Sequence, residues 1–174
     1  MTAPLRHSRL DGIGGKRRKS AVRPVLKWVH ATFGLFAAAY LLMAAATGTL
    51  LLFKPEILAL AHPELGPVPT DTVTQAHRLA VSLEPGSFTS IKFPDETLRA
   101  FTVYLPDHRT ALYDPNSLAP LEDRFGLVRV MDWLFELHHY LLAGETGKIV
   151  SGAFGLAIAG LVVIGLYLWW PWRR

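Results

Sequence analysis

Two stretches without a single formal charge set the architecture: residues 28–53 and residues 149–172. The first is 26 residues long, and a helix needs about 20 to cross the hydrocarbon core of a bilayer. Ten of its residues are Leu, Val or Phe, each favouring insertion by about 0.3–0.6 kcal/mol near the helix centre. Lys27 and Lys54-Pro55 bracket it. Ala44-Ala45-Ala46 has the look of a signal-peptidase site. A cleaved signal has an apolar region of only about 7–15 residues, however, so the run reads as a signal anchor. The second run closes on Tyr167, Trp169, Trp170 and Trp172, followed by Arg173 and Arg174. Indoles favour the headgroup layer, and arginines the cytoplasmic side.

Charge then gives the expected topology. Residues 1–27 hold eight Lys/Arg against one acid, while residues 28–172 hold eight against thirteen. A basic tail is also a nucleic-acid feature. This one abuts an apolar helix and has no interleaved aromatics, so it reads as a cytoplasmic anchor touching anionic lipid, with no nucleic acid as partner. Gly12, Gly14 and Gly15 among like charges give residues 1–22 little to fold around. Both spans place their basic ends inside, which puts the connecting region outside. There is no cysteine, which excludes disulfides, thiolate zinc, iron–sulfur clusters and covalently attached c-type haem.

The connecting region changes character. Residues 62–70 are proline-rich and read as a linker. Asp71 is placed as an N-cap, opening a helix to about Ser82 with Val73, Ala76, Leu79 and Ala80 on one side. Glu84-Pro85-Gly86 is a turn. Strands are expected at 88–93, 98–105 and 110–113, the middle one from the alternation of Phe101, Val103 and Leu105. One helix on a small antiparallel sheet is an α+β module. Residues 125–142 form an amphipathic helix, with Leu127, Val130, Met131, Leu134, Leu137 and Leu141 on its apolar stripe and Asp132 and Glu136 off it. The fold class is therefore a membrane α-helical hairpin of two transmembrane helices carrying an extracytoplasmic α+β module. Its parts are a basic tail (1–22), a first span (23–55), the module (56–122), an interfacial or membrane-dipping helix (123–145) and a second span with a basic end (146–174).

Histidines are the candidate chemistry. His30 lies one turn inside the first span, and an ionisable residue there is a functional candidate. Gly34, Ala37, Ala38, Ala45 and Gly48 share its face. Such small residues would let a flat macrocycle lie against the backbone, or simply let helices pack. His138 and His139 end the amphipathic helix. Neighbouring helical residues point about 100° apart, so both cannot easily ligate one metal; either one ligates and the other is its neighbour, or the two are simply interfacial residues. Glu136 and His139 form a Glu-x-x-His pair, but a di-iron site needs two such pairs and further glutamates. Ser151, Gly155 and Ala159 form a small-residue stripe suited to the hairpin or to a dimer.

Lys27-Trp28-Val29-His30, Gly34-Leu35, Thr47-Gly48, Leu137-His138, Gly144, Gly147, Gly152 and Leu168-Trp169-Trp170-Pro171 together resemble the PepSY-associated transmembrane family. The module, with Val103-Tyr104 and Tyr113-Asp114-Pro115, is similar to a PepSY domain. Longer members include di-haem, four-span ferric-siderophore reductases of the bacterial inner membrane. The resemblance implies b-type haem with His30 and His138 as axial ligands, His139 as a substitute or neighbour, and electrons carried outward to ferric iron. Many relatives carry arginine where this chain has Ala31, so contact with a haem propionate would fall to Lys27 or another basic residue. His30 and His138 are expected at opposite membrane faces, so one chain cannot supply both ligands of one haem. Either a second copy or a partner membrane subunit completes each site, or no haem is bound. Two other readings stand beside this one: an accessory or assembly subunit of a larger membrane complex, and a PepSY-type protease regulator.

Overall fold

A computed structural model describes residues 22–170. The basic tail before Val22, and Trp172 with the two closing arginines, lie outside the described residues.

The first apolar run forms α1, Val22–Leu52, and the second forms α5, Gly144–Trp169. At 31 and 26 residues both are long and apolar enough to span a membrane. Their surfaces stay bare: Leu35 is 72% and Leu166 58% exposed. A core helix of a water-soluble domain would bury such residues. The two helices run antiparallel and pack along one face of α5 that recurs every three or four residues, through Ser151, Phe154, Ile158, Leu161 and Gly165. Ser151 therefore faces α1, whereas Gly155 and Ala159 are exposed, with nothing within 4 Å of a Cβ added at Gly155. The small-residue stripe is thus not the hairpin contact over its length.

Beyond Phe53 the chain enters α2, Lys54–Ala61, a helix absent from the sequence reading. Pro55 stands in its first turn, where a missing N–H costs no helical bond. Leu58 and Ala61, three residues apart, are buried. The helix ends at Ala61, so the chain leaves it at His62, the first residue of the expected linker. Helix α3, Thr72–Ser82, is where the pattern put it. Asp71 holds the N-cap position without a side-chain capping bond; instead the Thr72 hydroxyl donates back to the Pro69 carbonyl at 2.6 Å.

Strands β1 (Ser90–Lys92), β2 (Phe101–Tyr104) and β3 (Thr110–Tyr113) form an antiparallel sheet in that order, with Thr102 opposite Leu112. The first two are shorter than expected. Asp95 shapes the loop between them by accepting the Leu98 and Thr97 N–H groups at 2.8 and 3.0 Å. The Leu98 N–H, with help from Lys92 and against some burial, holds the Asp95 carboxyl below its ordinary range. Alternation sends Phe101 and Val103, 0% and 1% exposed, onto Ala76 and Leu79 of α3.

The sheet's other face is also covered, a layer the one-helix expectation lacked. Leu112 and the neighbouring Leu98 and Ala100 meet Leu58 of α2 and Val128, Met131 and Leu134 of α4 (Leu127–Tyr140). Helix α4 also packs on α1 and α5, so it joins module to hairpin. Asp132, expected off its apolar stripe, is buried. Its carboxylate accepts the Thr110 N–H and hydroxyl, each at 2.7 Å, and pairs with Lys54 Nζ at 3.1 Å. Those partners come from β3 and α2, far away in sequence, and they make burial of the charge tolerable. Glu136 Oε1 is buried too, with no hydrogen-bond partner among the described residues. Leu141 and Leu142 end α4 with φ of 50° and 59°, and α5 starts so close that a Cβ at Gly147 would overlap the Tyr140 carbonyl.

Candidate functional site

The candidate histidines fall at the two ends of the hairpin. At the module end, His138 of α4 rests on Thr47 and Gly48 of α1. A Cβ at Gly48 would stand 3.0 Å from His138 Cε1, so glycine provides the seat. The Thr47 hydroxyl lies 2.9 Å from the Met43 carbonyl, 3.2 Å from the Ala44 carbonyl and 2.9 Å from His138 Nδ1. A hydroxyl has one proton and two lone pairs. Carbonyls only accept, so the back-bond into the helix uses that proton. With the proton spent on that back-bond, the oxygen accepts from the imidazole and Nδ1 donates. The neutral ring then carries its lone pair on Nε2, the arrangement of a metal-ligating histidine whose other nitrogen is held by a hydrogen bond.

His139 diverges. It is exposed, its ring makes a 73° angle with that of His138, and it stacks on Phe135 at 4.3 Å. Its Nδ1 lies 3.3 Å from the Phe135 carbonyl. The β2–β3 turn leans on the same patch: His108, with φ of 63°, sets its ring 4.8 Å from Tyr140. Among the described residues no group of three or more His, Asp or Glu gathers as a metal site, and Glu136 with His139 remains a single pair.

At the distal end, His30 of α1 occupies a matching notch on α5. A Cβ at Gly165 would lie 2.9 Å from His30 Cε1. Here no hydroxyl orients the ring: His30 Nδ1 is buried and without a hydrogen-bond partner among the described residues. An orphaned buried group of this kind costs about 1–3 kcal/mol. Arg23 closes that end, its guanidinium donating to the Leu168 carbonyl at 3.1 Å.

Eighteen residues of α1 separate His30 from Gly48, roughly 27 Å at 1.5 Å per residue. The two imidazoles thus stand at opposite ends of the hairpin, and they cannot grip one metal together. The small-residue face expected beside His30 is not one continuous surface either. Gly34 is open, Ala37 is buried, and His138 itself fills the notch at Gly48. What could hold a cofactor is one imidazole at each end, one of them hydrogen-bonded to the Thr47 hydroxyl. Sequence reasoning missed the part of Thr47, although the Thr47-Gly48 pair stood among the motif residues.

No curated protein and no solved structure gives a match to the chain. The family described as the PepSY-associated TM region matches residues 27–174. That span runs from the start of the first apolar helix through the module to the second, and the chain belongs to this family.

Proposed function

We propose that the chain is a b-type haem protein of the bacterial inner membrane, with both ends in the cytoplasm and the module outside, relaying electrons outward to ferric iron or a ferric siderophore. One observation carries this reading: Thr47 holds His138 Nδ1, which leaves Nε2 as a ligand atom at the edge of the hairpin. His138 and His30 would each bind the iron of a separate haem, one near each face. Bound haem would supply the reversible one-electron chemistry. The chain's own residues set ligand identity, spacing and burial. His139, turned onto Phe135, serves as a neighbour in this arrangement. Lys27, one turn before His30, is placed to meet an acidic group on the cytoplasmic side. No nucleotide or flavin motif occurs in the sequence, so electrons come from another protein or from a quinol. Each end offers a single imidazole, so a second copy or a partner subunit completes the coordination.

A reduced-minus-oxidised absorption spectrum of protein expressed with haem supplied, with His30→Ala and His138→Ala alongside, is the test. The expected result is a b-type signal that loses part of its amplitude in each variant. A colourless wild-type protein would sink the reading. The same half-sites favour a second reading, in which the hairpin is an accessory subunit of a larger membrane complex. Its mark would be subunits that co-purify while the isolated chain binds no haem.

A further inference from the structure

The module carries a second polar site, where the chain leaves α2. A cavity of about 160 Å³ is lined by Ala59, His62, Pro63, Leu65, Thr97 and Arg99. His62 is only 3% exposed, unusual for a histidine in so small a module. Its Nδ1 meets Glu64 Oε1 at 3.2 Å, and Arg124 pairs with Glu64 Oε2 at 3.0 Å while also donating to the Ala61 carbonyl at 3.2 Å. Both carboxylate oxygens are thereby used. A carboxylate accepts only, so Nδ1 carries a proton and Nε2 is the ring's remaining polar atom. It has no hydrogen-bond partner among the described residues. Arg99 reaches across to the Leu65 carbonyl through one N–H at a long 3.5 Å and makes no ion pair among the described residues. Its remaining donors are uncommitted. The same guanidinium borders a shallower depression lined by Pro67, Val68 and Glu96.

We infer that this cavity binds the oxyanion head of a small ligand, a carboxylate or a phosphate, between Arg99 and the His62 ring. Arg99 offers the planar fork that matches such groups. Thr97 adds a hydroxyl at the rim. With Nδ1 donating to Glu64, Nε2 presents a lone pair that accepts from a hydroxyl on the ligand, such as the P–OH of hydrogenphosphate or the alcohol of citrate, while Arg99 takes the oxyanion. The volume is below the roughly 300 Å³ at which sites enclose drug-sized molecules, so an acidic head enters while the rest of the ligand stays outside. This inference is independent of haem.

The test is calorimetric titration of the full chain in nanodiscs of phosphatidylcholine, with citrate and with inorganic phosphate as probes. Binding of either probe is expected, weakened about tenfold or more (about 1.4 kcal/mol) by Arg99→Gln. Arg109→Gln, a change at an exposed cation on the β2–β3 turn, should leave it intact. His62→Asn should weaken binding as well; Arg99 is at the surface, so its variant stays informative if His62→Asn misfolds. A repeat in discs containing phosphatidylglycerol separates the two sources of the anion. Loss of probe binding there assigns the site to a lipid headgroup, and retention assigns it to a soluble ligand. Failure of the wild type to bind either probe more tightly than Arg99→Gln overturns the inference.

Discussion

The two ends of the hairpin use one device and finish it differently. In both, an imidazole sits in the notch left by a glycine on a neighbouring helix. At the module end the ring is also oriented by Thr47, and the helix that bears it is tied down six residues earlier by Asp132 and Lys54. At the distal end the ring nitrogen has no hydrogen-bond partner among the described residues. Packing alone can place an aromatic ring; only a directional bond selects its tautomer. The module end is therefore preorganised. At the distal end packing places the ring, and no described residue bonds His30 Nδ1.

Four substitutions, at three places, would break or sharpen this contrast. The largest effect belongs to Asp132→Ala, which strands the Lys54 ammonium and the Thr110 N–H in a largely buried setting. Removing one partner of such a pair costs about 3–5 kcal/mol, and the lower end applies here, where some solvent reaches both side chains. Hydrogen exchange in β3 and α4 should accelerate strongly, while the mid-section of α1 around Tyr40 should not change. Equal acceleration in both would mean that module and hairpin unfold as one unit.

Next come the glycine seats. Gly48→Val and Gly165→Val each drive a branched side chain into an imidazole, an overpacking cost of about 1–3 kcal/mol. Gly48→Val should cost more, because displacing His138 also breaks its bond to Thr47. Thermal unfolding in detergent would rank them, and equal losses would deny the module end its extra restraint.

The smallest effect is expected from Thr47→Val, nearly isosteric and lacking the hydroxyl. One hydrogen bond is worth about 1 kcal/mol. The telling readout is nitrogen NMR of the histidines. In the wild type His138 should be the Nδ1–H tautomer, and in the variant it should exchange between both forms with His30 unchanged. An unaltered His138 signal would remove Thr47 from the site.

Much of the architecture is legible in the residues because it depends on local pattern. A run of 26 residues without charge admits few structures, and alternation at Phe101 and Val103 sets a strand face. Lys54-Pro55 reads as a stop, yet proline in a first turn is compatible with a new helix, so α2 is invisible until Leu58 is seen in the core. Asp132 reads as a solvated charge because its partners, Lys54 and Thr110, are 78 and 22 residues away. No periodicity reports such pairings. At the site, His30, His138 and the separation between them follow from helix position. The tautomer does not, since it depends on which lone pair a threonine one helix away has left.

One contact near the middle of the hairpin has a consequence for both ends. The Tyr40 hydroxyl meets Ser151 Oγ at 2.6 Å, and the Tyr40 ring stacks on Phe154 at 4.9 Å. Two smooth apolar cylinders in lipid can roll against each other at little cost, since every rotation offers similar dispersion contacts. A polar fastening at mid-length, beside the Arg23–Leu168 bond at the distal end, ends that degeneracy and sets the phase between the helices. Turning α5 by one residue would swing Gly165 away from His30 by about 100°. Tyr40 and Ser151 thus act as a keyway, holding the distal imidazole in register from ten residues away.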